Sequence, residues 1–96
     1  MNKYDLPTDY TKLNGKQRRE VREQYVEEQG GKCFYCNHDL HKAPPLHITN
    51  RPINLRLFPP GMLKNPIQLQ HCHRTGMTEG AVHGYCNCVM WQYEGR

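Results

Sequence analysis

No stretch of this chain approaches the roughly 20 apolar residues that a membrane-spanning helix needs. Its first ten residues, MNKYDLPTDY, are polar, so no secretory signal is expected. Apolar side chains are scarce, at 36% of 96 residues, below the usual share for globular domains. One short domain with so little to bury is expected to need a metal or disulfide staple. The five cysteines are an odd number, which argues against a complete disulfide framework. They are expected in a reducing, cytoplasmic setting, where cysteines serve metals. Internal repeats and low-complexity segments are absent.

Acidic charge is missing from one long region. Residues 1–31 hold six basic and six acidic side chains, whereas residues 32–96 hold seven basic and three acidic. Between positions 40 and 78 there is no Asp or Glu, while Lys42, Arg51, Arg56, Lys64 and Arg74 are present. Such a surface attracts a phosphate backbone with salt-sensitive affinity. Arg51, Arg56, Lys64 and Arg74 are therefore the candidate DNA contacts, against the plainer reading of solvated loop charge.

Residues 1–14 lack periodicity and read as an extended arm, ahead of a single domain over 15–96. Lys16 to about Gln29 is rich in good helix formers, with Val21 and Tyr25 on one face. Gly30-Gly31 is its stop. Six of the seven prolines fall within 41–66, which excludes a long helix and predicts an ordered loop with at best a short strand over Ile53–Leu57. Phe58-Pro-Pro-Gly61 reads as a turn. Ile67–His71 alternates as a strand does. Arg74-Thr-Gly76 is a turn, Gly80–His83 a second strand, and Cys86–Tyr93 a helix. The fold class is small α+β, with an N-terminal helix followed by a strand–turn–strand–helix unit.

Cys33-x-x-Cys36 lets two thiolates face one ion from a single turn, as structural zinc prefers. The best second pair is His83-x-x-Cys86, separated from the first by 46 residues, giving a Cys3His site. Cys88, Cys72, His38 and His41 compete as ligands, and cysteines also occur as plain buried thiols. His71-Cys-His73 closes the first predicted strand, and Asn87 opens the last helix. In a strand–turn–strand–helix hairpin, His71 and Asn87 can face one pocket. A neutral imidazole can take a water proton near neutral pH, and an Asn oxygen can hold a hard cation such as Mg2+. His73 would orient a partner or support the loop.

Leu69-Gln-His-Cys-His-Arg-Thr-Gly76, then Gly80-Ala-Val-His-Gly-Tyr-Cys-Asn87, resembles the recombination endonuclease VII branch of HNH (His-Me finger) nucleases. That family reads D-H-C-H or D-H-D-H, then T-G, then R-G-L-L-C-x-x-C-N. The ending Val-Met-Trp-Gln-Tyr-Glu-Gly95 and the stretch Leu57-Phe-Pro-Pro-Gly61 also look like small phage members, and the resemblance covers roughly residues 15–95. It implies a zinc-stapled ββα-metal domain and a metal-dependent DNA endonuclease or nickase, with a bacterial host cytoplasm as its setting. His71 would be the general base. Asn87 and Gln70 would hold a catalytic Mg2+ or similar cation, and Cys33, Cys36, His83 and Cys86 would hold structural zinc. Gln70 stands where the family has a metal-binding Asp, and His83 where it has Cys. A neutral Gln70 lacks the charge that draws a cation, so a weak or inactive zinc module that binds DNA is the alternative. A zinc scaffold that binds only protein is disfavoured by the acid-free stretch. The implied helices of a dimer have no room here, so a monomer is expected.

Overall fold

The structure is a computed structural model and describes residues 4–95. Its first long helix, α1 (Gly15–Glu28), begins at a capping box: Asn14 Oδ1 accepts from Gln17 N, and Gln17 Oε1 accepts from Asn14 N, both at 2.9 Å. These bonds satisfy orphan donors of the first turn. At the other end Gly30 and Gly31 take positive φ of 66° and 77°, and Gly31 N donates to Val26 O, which closes the last turn.

The expected hairpin is present. Strand β1 (Ile67–His71) pairs antiparallel with β2 (Thr78–His83), with Ile67 opposite His83 and Gln70 opposite Gly80. The next pair is His71 with Thr78, so Glu79 is the extra residue of a bulge on β2. Helix α3 (Gly84–Glu94) starts directly after β2 and ends at left-handed Gly95. A single helical turn, α2 (Leu46–Thr49), lies in the proline-rich loop. The sheet has two strands, and the Cα radius of gyration is 12.9 Å, close to the roughly 12–13 Å expected of a folded chain this long.

One expectation differs from the structure. The Ile53–Leu57 strand is absent: Leu55–Leu57 form a 3-10 turn capped by Asn54, whose Oδ1 accepts from Arg56 N. Its fixed partner is α3 rather than another strand. Gln92 Oε1 accepts from Asn54 N, Tyr93 Oη donates to Pro52 O, and Tyr85 Oη donates to Arg51 O. The N-terminal segment, expected as an extended arm, is bonded to the hairpin. Tyr10 N donates to Gly76 O and Thr78 N to Thr8 O, each at 2.8 Å, and Asp9 bridges Met77. This segment thus straps the hairpin; residues 1–3 of the expected arm lie outside the described residues.

The core is small and mixed. Val21 and Tyr25 of α1 meet Ala81 and Val82 of β2, Val89 and Met90 of α3, and Leu40 and Ile48 from the loops. Gln29 completes the outer edge of β2, accepting from Ala81 N at 2.8 Å and donating to Ala81 O at 2.9 Å. Side-chain amide thus replaces a missing strand, which a buried backbone requires. This packing needs Gly80: a Cβ there would lie 2.8 Å from Gln29 Oε1 and from Phe34 Cγ. No helix among the described residues is long and apolar enough to cross a membrane.

Candidate metal centre and cleft

The Cys33–Cys36 knuckle is a miniature hairpin. Lys32 bridges Asp39, Cys33 N donates to His38 O, and Asn37 N donates to Cys33 O. Asn37 turns the chain with φ of 60°, a conformation Asn tolerates. The knuckle joins β2 through Phe34 N, which donates to Ala81 O at 2.9 Å. Both thiols are thereby carried to the junction of β2 and α3, where His83 and Cys86 stand.

The ligand atoms of Cys33, Cys36, His83 and Cys86 all lie within 4.8 Å of one another. His83 Nδ1 is 3.4 Å from Cys36 Sγ and 3.6 Å from Cys86 Sγ. Tetrahedral zinc with bonds of about 2.0–2.3 Å needs ligand edges of roughly 3.5–3.8 Å. The other ring nitrogen, Nε2, is 2.9 Å from the carbonyl oxygens of Asp39 and Lys42. It must donate there, so Nδ1 carries the lone pair, as metal-bound imidazoles are held. The Cys33 thiol is drawn down to about 4 by a hydrogen bond from Cys86, against burial and helped by main-chain donors at Cys36, His83 and Tyr35. The same contact, with burial, pushes Cys86 up. This group of four can hold a structural metal ion such as zinc.

The competing ligands stand elsewhere. Cys88 is buried in α3, where burial raises its thiol. Cys72 lies in the turn after β1, where hydrogen bonds from Thr75 lower it. His38 and His41 are exposed. All five cysteines are free thiols.

A cleft of about 840 Å³ opens beside the hairpin, lined in part by His71, His73 and Asn87. Ile67, Gln68, Leu69 and His71 of β1 all line it. The His71 ring is half-buried and stacks on Tyr10, with centroids 3.9 Å apart and planes at 6°. Arg18 covers the Tyr10 ring at 3.9 Å and donates to Tyr10 O. Burial holds His71 below the usual histidine value, followed by the charges of His73 and Arg18, while Glu79 opposes them. This favours the neutral ring. The His73 ring sits 4.8 Å away.

Asn87 is oriented by a relay of amides. Gln68 Nε2 donates to the carbonyls of Met62 and Asn65, so its Oε1 faces Asn87 Nδ2, at 2.8 Å. That bond fixes the Asn87 amide by its nitrogen.

Gln70 is not brought to this site. It is 1% exposed, absent from the cleft lining, and donates to Glu79 Oε1 and His71 O. Strand period alone does not account for this, since Gln68, in phase with Gln70, lines the cleft; the bonds to Glu79 and His71 O hold Gln70 away from it. Arg51, Arg56, Lys64 and Arg74 are also exposed outside the cleft lining, Arg51 lying over the Tyr93 ring at 5.7 Å. The cleft's cations are Arg18, Arg19 and Arg22 of α1 instead. Net charge over 1–31 hides them, because the balancing acids occupy other faces; spacing of one, three and four along a helix was the available sign. Tyr10 and Gln68 carry no sequence mark of their roles.

Comparison with protein-family models, curated proteins and solved structures finds no match for this chain.

Proposed function

We propose that the chain is a small metal-dependent DNA endonuclease or nickase of the HNH, ββα-metal type, stapled by one zinc ion at Cys33, Cys36, His83 and Cys86. The observation that carries the reading is that His71 and an oriented Asn87 line one cleft with Arg18, Arg19 and Arg22; burial lowers the His71 pKa, which favours its basic form. His71 accepts the proton of the attacking water. Arg18, Arg19 and Arg22 hold phosphates of the strand, and charge-assisted bonds of this kind suit guanidinium groups. The Asn87 oxygen would help hold Mg2+, which supplies charge stabilisation at the leaving 3′ oxygen. His73 supports the His71 ring.

The test is nicking of supercoiled plasmid with and without Mg2+. Nicking is expected only with the cation, and His71→Ala should lower it by about 10²-fold or more, the usual worth of a general base. Undiminished nicking by His71→Ala would remove His71 from the chemistry.

One observation favours a second reading, a zinc module that binds DNA without cutting it. No Asp or Glu is among the described residues that line the cleft, so the cation would depend on phosphate oxygens for its anionic ligands. Retention of DNA at low salt, with no nicking in Mg2+ or Mn2+, would decide for that reading.

A further inference from the structure

Trp91 and Phe58 take no part in the hydrolysis proposed above, yet both line its cleft. Trp91 is 41% exposed on α3, and Phe58 meets it edge to face, with centroids 5.4 Å apart. Leu57 beside them is also exposed. The loop carrying Phe58 is tied to α3 through Asn54 and Pro52, both bonded to Gln92, so the aromatic pair has a fixed mount.

Large aromatic faces beside arginines, in a cleft whose described lining carries no acid, suit one kind of ligand. An unpaired nucleotide offers a flat base to stack and a phosphate for a guanidinium. A paired duplex keeps its base faces within its own stack, leaving the aromatics nothing to cover. We infer that this cleft takes an unpaired stretch of DNA strand, with a base stacked on Trp91 and its phosphates on Arg18, Arg19 and Arg22. The inference deepens the nucleic-acid part of the proposed function by naming its substrate class, and it does not depend on cleavage.

Trp91 is the single tryptophan of the chain, so intrinsic fluorescence reports on it directly. The full chain, without Mg2+, would be titrated with oligodeoxythymidylate and with a blunt duplex of the same length. The expected result is quenching by the single strand at lower concentration than by the duplex. Fluorescence anisotropy of a labelled oligodeoxythymidylate should show Trp91→Leu weakening binding on the order of tenfold, with Trp91→Phe restoring most of it. Equal affinity for duplex and single strand, or unchanged binding by Trp91→Leu, would overturn the inference. Mg2+-dependent nicking with that result would leave the nuclease reading standing; quenching without any nicking would leave this inference standing alone.

Discussion

The Cys3His centre and the cleft are built from the same hairpin and helix, yet they hold their side chains differently. At the centre, Cys33, His83 and Cys86 are buried, and His83 is fixed through both ring nitrogens. In the cleft, His71 and Asn87 are half-buried and are positioned by side chains from remote segments, Tyr10 and Gln68. A structural ligand set gains from burial, which excludes water and adds to folding energy. A reacting site must stay open to substrate and is held by fewer contacts. Loss at the centre should therefore destroy the fold, while loss in the cleft should change chemistry and leave the fold intact.

The largest expected effect tests the first half of that contrast. On the proposed reading, Cys86→Ser abolishes zinc binding and cooperative thermal unfolding, measured by metal content and circular dichroism. A folded, zinc-free Cys86→Ser protein would show that the core suffices without the ion. Next comes Gly80→Ala, which forces a Cβ against Gln29 and Phe34 and should cost about 1–3 kcal/mol in denaturant unfolding, as overpacking does. Cys88→Ser should cost a similar or smaller amount, about 1–3 kcal/mol, by burying a hydroxyl in the apolar face of α3. Its zinc content should be unchanged, which separates a buried thiol from a ligand.

The smallest expected effect belongs to the cleft. The folded environment lowers the His71 pKa, chiefly by burial, so its basic form persists to lower pH than for an ordinary histidine. Nicking should accordingly be present above that lowered value and be lost as pH falls through it. Tyr10→Ala uncovers the ring and removes part of the burial, so the acidic limb of the pH–rate profile should move to higher pH while the melting temperature changes little. An unmoved limb would show that Tyr10 does not set the protonation of His71.

These contrasts also explain what could be read from the chain. The α1 helix, its glycine stop and β1 follow from neighbours within a few residues, where capping, turn formation and period-two alternation act, whereas α3, expected from Cys86, starts at Gly84 with no side-chain cap. The Cys33/Cys36 and His83/Cys86 pairs were legible for the same reason, since each spans one turn. Gln70 lies outside the cleft lining because its amide is bonded to Glu79 and His71 O, partners that its place in the motif does not reveal. The loop cations Arg51, Arg56, Lys64 and Arg74 lie outside the cleft lining, because net charge along a segment says nothing of the face on which it collects.

Sequence alone thus determined the local elements and the two short ligand pairs, because their causes act through bonds and contacts of short range. Only the tertiary structure decided which residues meet across long separations. It laid Tyr10 over His71, turned the arginines of α1 toward Asn87, and sent Gln70 inward to Glu79. Those choices depend on how α1, the strap and the bulged hairpin pack around one small core, a balance of burial and hydrogen bonding that no single segment carries.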